Sequence, residues 1–211
     1  MARGWFITFE GGEGTGKSTQ IELLAEHLRL RGRAVTVTRE PGGTPVAEAA
    51  RAVLLDPSLR PDGLSELFLL EAARHDLVEA VIRPAIDRGE VVLCDRYADS
   101  STVYQGMVRG IGEELTVGLN KIATGGLEPD LTILLDLDHE SAVGRALSRN
   151  AQGDGTESRL DEEPEAFHRQ VRDGFLGLAE RQPDRFRVLS AEGDRDEVFR
   201  RVVEVLPEEL R

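Results

Sequence analysis

The chain has one cysteine, Cys94, and only two lysines, Lys17 and Lys121, in 211 residues. A lone thiol excludes an internal disulfide and every metal site built from several cysteines. The four histidines, His27, His75, His139 and His168, share no metal-ligand spacing. No apolar run approaches the roughly 20 residues that a membrane helix needs. Met1-Ala2-Arg3-Gly4-Trp5 runs straight into a strand-like segment and leaves no room for a signal peptide, so a cytoplasmic location is expected. Positive charge is short as well: 26 basic residues against 39 acidic ones leave a net charge of −13. Such a chain repels polyanions, which argues against nucleic acid or an anionic membrane as partner. A small phosphate ligand is compatible with that field only where cations are placed locally. All but two of the 26 basic residues are arginine, so each lysine is informative.

What is present is the composition of one folded domain, at 40% apolar and 31% charged residues. Trp5–Phe9, Ala34–Thr38, Val91–Cys94, Leu131–Leu135 and Phe186–Leu189 are short, mostly apolar runs that predict strands. Ile21, Leu24, Ala25 and Leu28 recur at helical spacing after Lys17, and Gly32 closes that helix. Further helices are predicted over Val46–Leu54 and Leu64–Arg88. Strands apolar on both faces, alternating with helices, indicate an α/β fold: a parallel five-stranded sheet with helices on both faces, in three layers. The polar stretch from Asn150 to Arg159 reads either as a surface loop or as a lid over ligand.

Gly11-Gly12-Glu13-Gly14-Thr15-Gly16-Lys17-Ser18 fits G-x-x-x-x-G-K-[ST] at a strand-to-helix turn, the signature of a P-loop NTPase. Glycines let the backbone approach phosphate oxygens, and the N–H groups of the turn and of the helix start converge on one anion. Lys17 is expected to reach the β- and γ-phosphates, and the Ser18 hydroxyl to bind Mg²⁺. The motif predicts a nucleotide site but not what happens to the nucleotide. Arginines at strand ends speak to that: Arg39 leaves the second strand and Arg96 the third, where ligands of open parallel sheets sit. Their planar forks suit phosphate, and Asp95 is placed for Mg²⁺ or a metal-bound water. Arg51 and Arg74 each lie on helical stretches, and Arg74 interrupts an otherwise apolar and alanine-rich patch, Leu69-Leu70-Glu71-Ala72-Ala73.

F-I-T-F-E-G-G-E-G-T-G-K-S-T, T-R-E-P-G-G-T, C-D-R-Y-A-D-S-S-T-V-Y-Q-G and E-P-D-L-T-I-L-L-D-L together resemble the thymidylate kinase family over effectively the whole chain. The second and third of these are far more specific than the P-loop. The resemblance implies a nucleoside monophosphate kinase-like fold, transfer of the γ-phosphate of ATP to dTMP in dTTP synthesis, Mg²⁺ as cofactor, and a homodimer. It places ATP against Gly11, Gly12, Glu13, Gly14, Thr15, Gly16, Lys17, Ser18 and Thr19, with Arg145 over the adenine and Gly193 at its edge. It places dTMP against Glu13, Arg39, Pro41, Arg51, Leu70, Arg74, Arg96, Ser100, Ser101, Tyr104 and Gln105. Of these, Arg96 would hold the substrate phosphate and Arg74 the base.

The family comes in two forms. With no arginine inside the P-loop, this chain matches the one that carries it in a lid, here about 149–160, with Arg149 and Arg159 beside Lys17, Arg96 and Asp95 as the catalytic set. One departure stands out. The family's usual Phe or Tyr, which stacks on thymine four residues before Arg74, is Leu70 here, and Phe68 lies about 200° away around the helix. The acceptor is an oxygen already ionised, so no general base is required and no catalytic His or Cys is expected. Cys94 is expected to be an inert buried thiol, Asp136 and Asp138 a polar strand end, and Asp161-Glu162-Glu163 a helix start. Another P-loop phosphotransferase and a nucleotide-dependent switch are the competing readings.

Overall fold

The computed structural model describes residues 3–56, 58–138 and 164–211. Strands β1 (Trp5–Glu10), β2 (Val35–Arg39), β3 (Val91–Asp95), β4 (Leu131–Asp136) and β5 (Phe186–Ser190) form one sheet in the order β2-β3-β1-β4-β5. Every pairing is parallel. Each expected strand is found within a residue or so of its expected ends.

Successive side chains of a strand point to opposite faces, so each strand contributes to two cores. Ile7 and Phe9 of β1 pack with Leu24 and Leu28 of α1 (Lys17–Leu30) and with Val198 and Val202 of α8 (Arg195–Glu204). Phe6 faces the other way, into Leu77, Ile82, Val92 and Tyr97. Beside that second layer, Tyr104, Leu134, Phe175 and Leu178 close a third cluster against α7 (Glu165–Arg181). Burying each of these side chains contributes about 1.5–3 kcal/mol.

The stretch expected as one helix over Leu64–Arg88 is continuous but not uniform. α3 (Gly63–Leu77) passes through a π turn, Val78–Ile82, into α4 (Arg83–Asp87). Pro84 has no N–H to return to the preceding turn, and the Arg83 N–H bonds back five residues to the Val78 carbonyl. α2 (Pro45–Leu55) starts at Thr44, whose side chain accepts from the Ala47 N–H. α5 (Ala98–Ser101) widens into a second π turn, Thr102–Val108, before α6 (Glu113–Thr124).

Register decides where the site lies. Phe9 and Arg39 both pair with Asp95, so β1, β2 and β3 end in one row. The glycine turn, the Arg39–Thr44 loop and the Asp95-Arg96-Tyr97 corner therefore leave the same edge of the sheet.

Candidate active site

The glycine turn is built as its composition requires. Gly11, Gly14 and Gly16 have φ of 135°, 72° and 87°. A Cβ on Gly11 would lie 2.4 Å from the Leu135 carbonyl oxygen, so no larger residue fits there. Lys17 is buried and donates its Nζ protons to the carbonyls of Gly12 (2.7 Å) and Gly11 (3.2 Å). Burial first, and then the nearby Arg96 charge, hold its pKa below the usual lysine range. Ser18 Oγ donates to Asp95 Oδ2 at 2.8 Å. A hydroxyl and a carboxylate brought together beside the turn are hard oxygen donors of the kind Mg²⁺ takes alongside waters and phosphates.

Arg96 is the one described non-glycine residue with positive φ, at 67°. Such a conformation in a bulky residue needs the surroundings to over-determine it. Its N–H donates to the Phe9 carbonyl (2.9 Å), and the next N–H, of Tyr97, donates to Glu10 Oε1 (2.8 Å). The Cys94 thiol, buried as expected, donates to the Arg96 carbonyl (3.1 Å). The guanidinium is thereby aimed at the glycine turn. Nη1 donates to the Gly11 carbonyl (3.1 Å) and Ser100 Oγ (3.2 Å), and Nη2 to Glu13 Oε1 (2.6 Å). The cation also lies 5.2 Å from the centre of the Tyr104 ring.

A cleft opens beside Arg96. Pro41, Leu70, Arg74, Arg96, Ser100, Ser101, Tyr104 and Gln105, all expected at a second substrate, line it together with Glu40, Leu54, Leu55, Glu66 and Tyr97. Arg74 is 1% exposed and every N–H of its fork is in use. Nε donates to Glu40 Oε2 (2.8 Å), Nη1 to Glu71 Oε1 and Asn120 Oδ1 (both 2.7 Å), and Nη2 to Ser101 Oγ (2.9 Å) and the Tyr97 carbonyl (3.4 Å). A base carbonyl can reach Arg74 only by displacing one of these, most readily the long contact to Tyr97.

Two other expected arginines are not lining residues of the cleft but steady its wall. Arg51 Nη1 donates to the Pro41 carbonyl (2.8 Å), after a cis Glu40–Pro41 bond. Arg39 is exposed and paired with Glu48 (2.8 Å), which also accepts from the Gly43 N–H (2.9 Å). Arg51 has its pKa lowered by burial and next by Arg39, with Arg96 adding to the same effect, so the three cations share one field.

On the far side of the glycine turn, Thr15, Gly16, Thr19, Gln20, Gly193, Asp194 and Arg195 line a second hollow. Gln20 Nε2 donates to the Arg195 carbonyl (3.0 Å) and fastens α1 to that loop. Arg145, Arg149, Arg159, the stretch 149–160 and Asp161-Glu162-Glu163 lie outside the described residues. Among the described residues, no group of three or more His, Cys, Asp or Glu is arranged to hold a metal. Asp136 takes both ends of the Arg172 fork (2.6 and 2.8 Å), a polar strand end as expected.

The residues missed by sequence reasoning are mostly acids. Glu10, Glu40, Glu66 and Glu71 are all buried, at 0%, 6%, 5% and 8% exposure. Their signal was available: carboxylates inside apolar runs, Glu71 three residues before Arg74 on one helix face, where an ion pair forms. Asn120, on α6, carried no such mark.

A glycine turn, a magnesium-suited oxygen pair and an arginine-headed second cleft, at the edge of a 2-3-1-4-5 parallel sheet, define a P-loop phosphotransferase of the nucleoside monophosphate kinase type. The thymidylate kinase family matches residues 9–202. A thymidylate kinase of Deinococcus radiodurans is 50% identical over 198 residues, covering 94% of each chain. One of Thermomicrobium roseum is 51% identical over 207 residues, covering 96% of each. The crystal structure of thymidylate kinase from Ehrlichia chaffeensis superposes with a TM-score of 0.79 at 33% identity, over 97% of this chain and all of that one. The chain belongs to the thymidylate kinase family, whose members phosphorylate dTMP to dTDP with ATP.

Proposed function

We propose that ATP lies along the glycine turn with its base in the Gly193 hollow, and that dTMP occupies the cleft with its phosphate at Arg96. Support comes chiefly from one contact: the Arg96 guanidinium sits on the Gly11 carbonyl while also lining the cleft. An anion held by Arg96 is thus delivered to the γ-phosphate end of the P-loop. An ionised phosphate oxygen of dTMP attacks Pγ, the bond from Pγ to the β–γ bridging oxygen breaks, and ADP leaves with that electron pair. Lys17 exchanges its loop carbonyls for the β- and γ-phosphates and follows the moving charge. Ser18 and Asp95 would hold Mg²⁺, which supplies charge neutralisation at the phosphates when bound. Leu54, Leu55 and Leu70 provide an apolar surface for the base in place of a stacked ring.

The homodimer belongs to the same proposal. α2 packs on α3 and α3 on α6, and this run of helices leaves Val46, Val53, Leu64, Phe68, Leu115 and Ile122 exposed. A run of such residues on adjoining helices is the composition of an interface.

The test is ADP release with ATP-Mg²⁺ and a panel of dTMP, dUMP, dCMP, UMP and thymidine. Fast release with dTMP is the expected result. Release at the same rate without any acceptor would point to a nucleotide-dependent switch, and preference for thymidine to a nucleoside kinase.

A further inference from the structure

Gln105 and Ser101 lie in the cleft wall on consecutive turns, Gln105 within the π turn Thr102–Val108. The two side chains are not equally free. Ser101 Oγ accepts from Arg74 Nη2 (2.9 Å), and its hydroxyl can still give or take one more hydrogen bond. Gln105 Nε2 donates to Glu66 Oε1 at 2.7 Å, deep in the wall where both residues are buried. Its Oε1 has no partner among the described residues. Arg109 Nε lies 3.5 Å from the same Glu66 oxygen.

An amide can normally turn over and offer either end to a ligand, and its orientation is read from its partners. Here the partner removes the choice. A carboxylate only accepts, so turning Gln105 over would set its carbonyl against the Glu66 oxygen and lose a charge-assisted bond. We propose that Glu66 is a positioning residue that locks the Gln105 amide with its oxygen towards the base, so that the cleft selects a pyrimidine ring bearing N3–H. Thymine and uracil carry a donor at N3, whereas cytosine presents a lone pair there, which would face the Gln105 oxygen. Ser101 can answer a 4-oxo or a 4-amino group, so the discrimination falls on the amide. A site whose fixed polar group meets the wrong partner rejects the analogue strongly.

This inference rests on the reading of the cleft as the dTMP site. The variant Glu66→Gln keeps the shape but can accept or donate, which frees Gln105 to turn over. The experiment measures kcat/KM of wild type and variant for dTMP, dUMP and dCMP. The preference for dTMP over dCMP is expected to fall at least tenfold, while that for dTMP over dUMP stays within about twofold, because dUMP keeps N3–H. Loss of activity in parallel on all three substrates, or an unchanged dCMP ratio, would mean that Glu66 only supports the wall. Wild type without any preference for dTMP over dCMP would overturn the lock while leaving the kinase reading standing. Wild type inactive on dTMP would overturn the substrate reading itself. If Glu66→Gln does not fold, as judged by its thermal melt, Glu66→Met also releases the amide and is read by the same two ratios.

Discussion

Behind Arg96 stands a carboxylate with no exposed surface. Glu10 ends β1 and accepts from the Tyr97 N–H (2.8 Å) and the Ser100 hydroxyl (2.7 Å), which pins the corner that holds Arg96 in its left-handed conformation. Burial, and then the charge of Asp99, push its pKa up from the usual 4.5 to about 8, against the pull of Arg96. Between those two values the folded protein keeps a proton that the unfolded chain has released. Raising the pH through that window therefore lowers stability, and below pH 4.5 the group contributes nothing. Glu10→Gln, which can accept from Tyr97 and donate to Ser100, should flatten the fall in melting temperature of the ligand-free protein between about pH 5 and pH 8. An equal slope in parent and variant would contradict this account. Glu10 also marks the limit of legibility at this scale. Lys17, Ser18, Asp95 and Arg96 announce themselves through a motif or a strand end. Buried acids that position them do so only weakly, because a carboxylate in an apolar run is usually read as the run's end. For Arg74 the sequence placed the residue at the cleft but could not reveal that its donors are already engaged.

At the scale of elements, the loop after β2 depends on backbone that only glycine takes up readily. Gly43 has φ of 88°, and a Cβ there would lie 2.4 Å from Thr38 Oγ1 and 2.8 Å from Leu77 Cδ1. Gly32, closing α1, has a similar φ of 77° with nothing within 4 Å. Gly32→Ala should cost about 1 kcal/mol, the left-handed penalty alone. Gly43→Ala should cost at least about 2 kcal/mol and also shift Pro41 in the cleft wall. Urea midpoints check the first difference, and KM for dTMP, raised only in Gly43→Ala, checks the second. Equal destabilisation of the two would refute the crowding at Gly43. The strands were legible because residues buried on both faces leave little else for such short apolar runs to be. The π turns were not legible: a helix with one extra residue in a turn keeps the same apolar content, and only Pro84 hinted at the first. The second matters more, since it carries Tyr104 and Gln105.

Across the whole molecule, a net charge of −13 coexists with Lys17, Arg96, Arg51 and Arg39 gathered near one edge of the sheet, where Arg96 acts on both Lys17 and Arg51. Composition correctly pointed to cations concentrated at one place, but the fold, through the Phe9–Asp95–Arg39 row, brings them together. The homodimer is tested at this scale. Phe68 is 54% and Ile122 76% exposed, on neighbouring helices. Phe68→Glu combined with Ile122→Glu should convert a species of twice the chain mass into one of the chain mass in sedimentation equilibrium, with the far-ultraviolet circular dichroism spectrum retained. A parent that is already monomeric would rule out the assembly.

The saturated fork of Arg74 has a consequence for how a ligand is received. One cation between two carboxylates and an amide presents no net positive charge to the cleft, so the inner end offers an anion no attraction. For a nucleotide bound as proposed, the phosphate would therefore belong at the Arg96 end, where the guanidinium reaches the glycine turn, and not against Arg74. Compounds designed to fill the inner end would have to win affinity by shape, dispersion and hydrogen bonds to Ser101 and Gln105, and adding an anionic group there would gain nothing from its arginine.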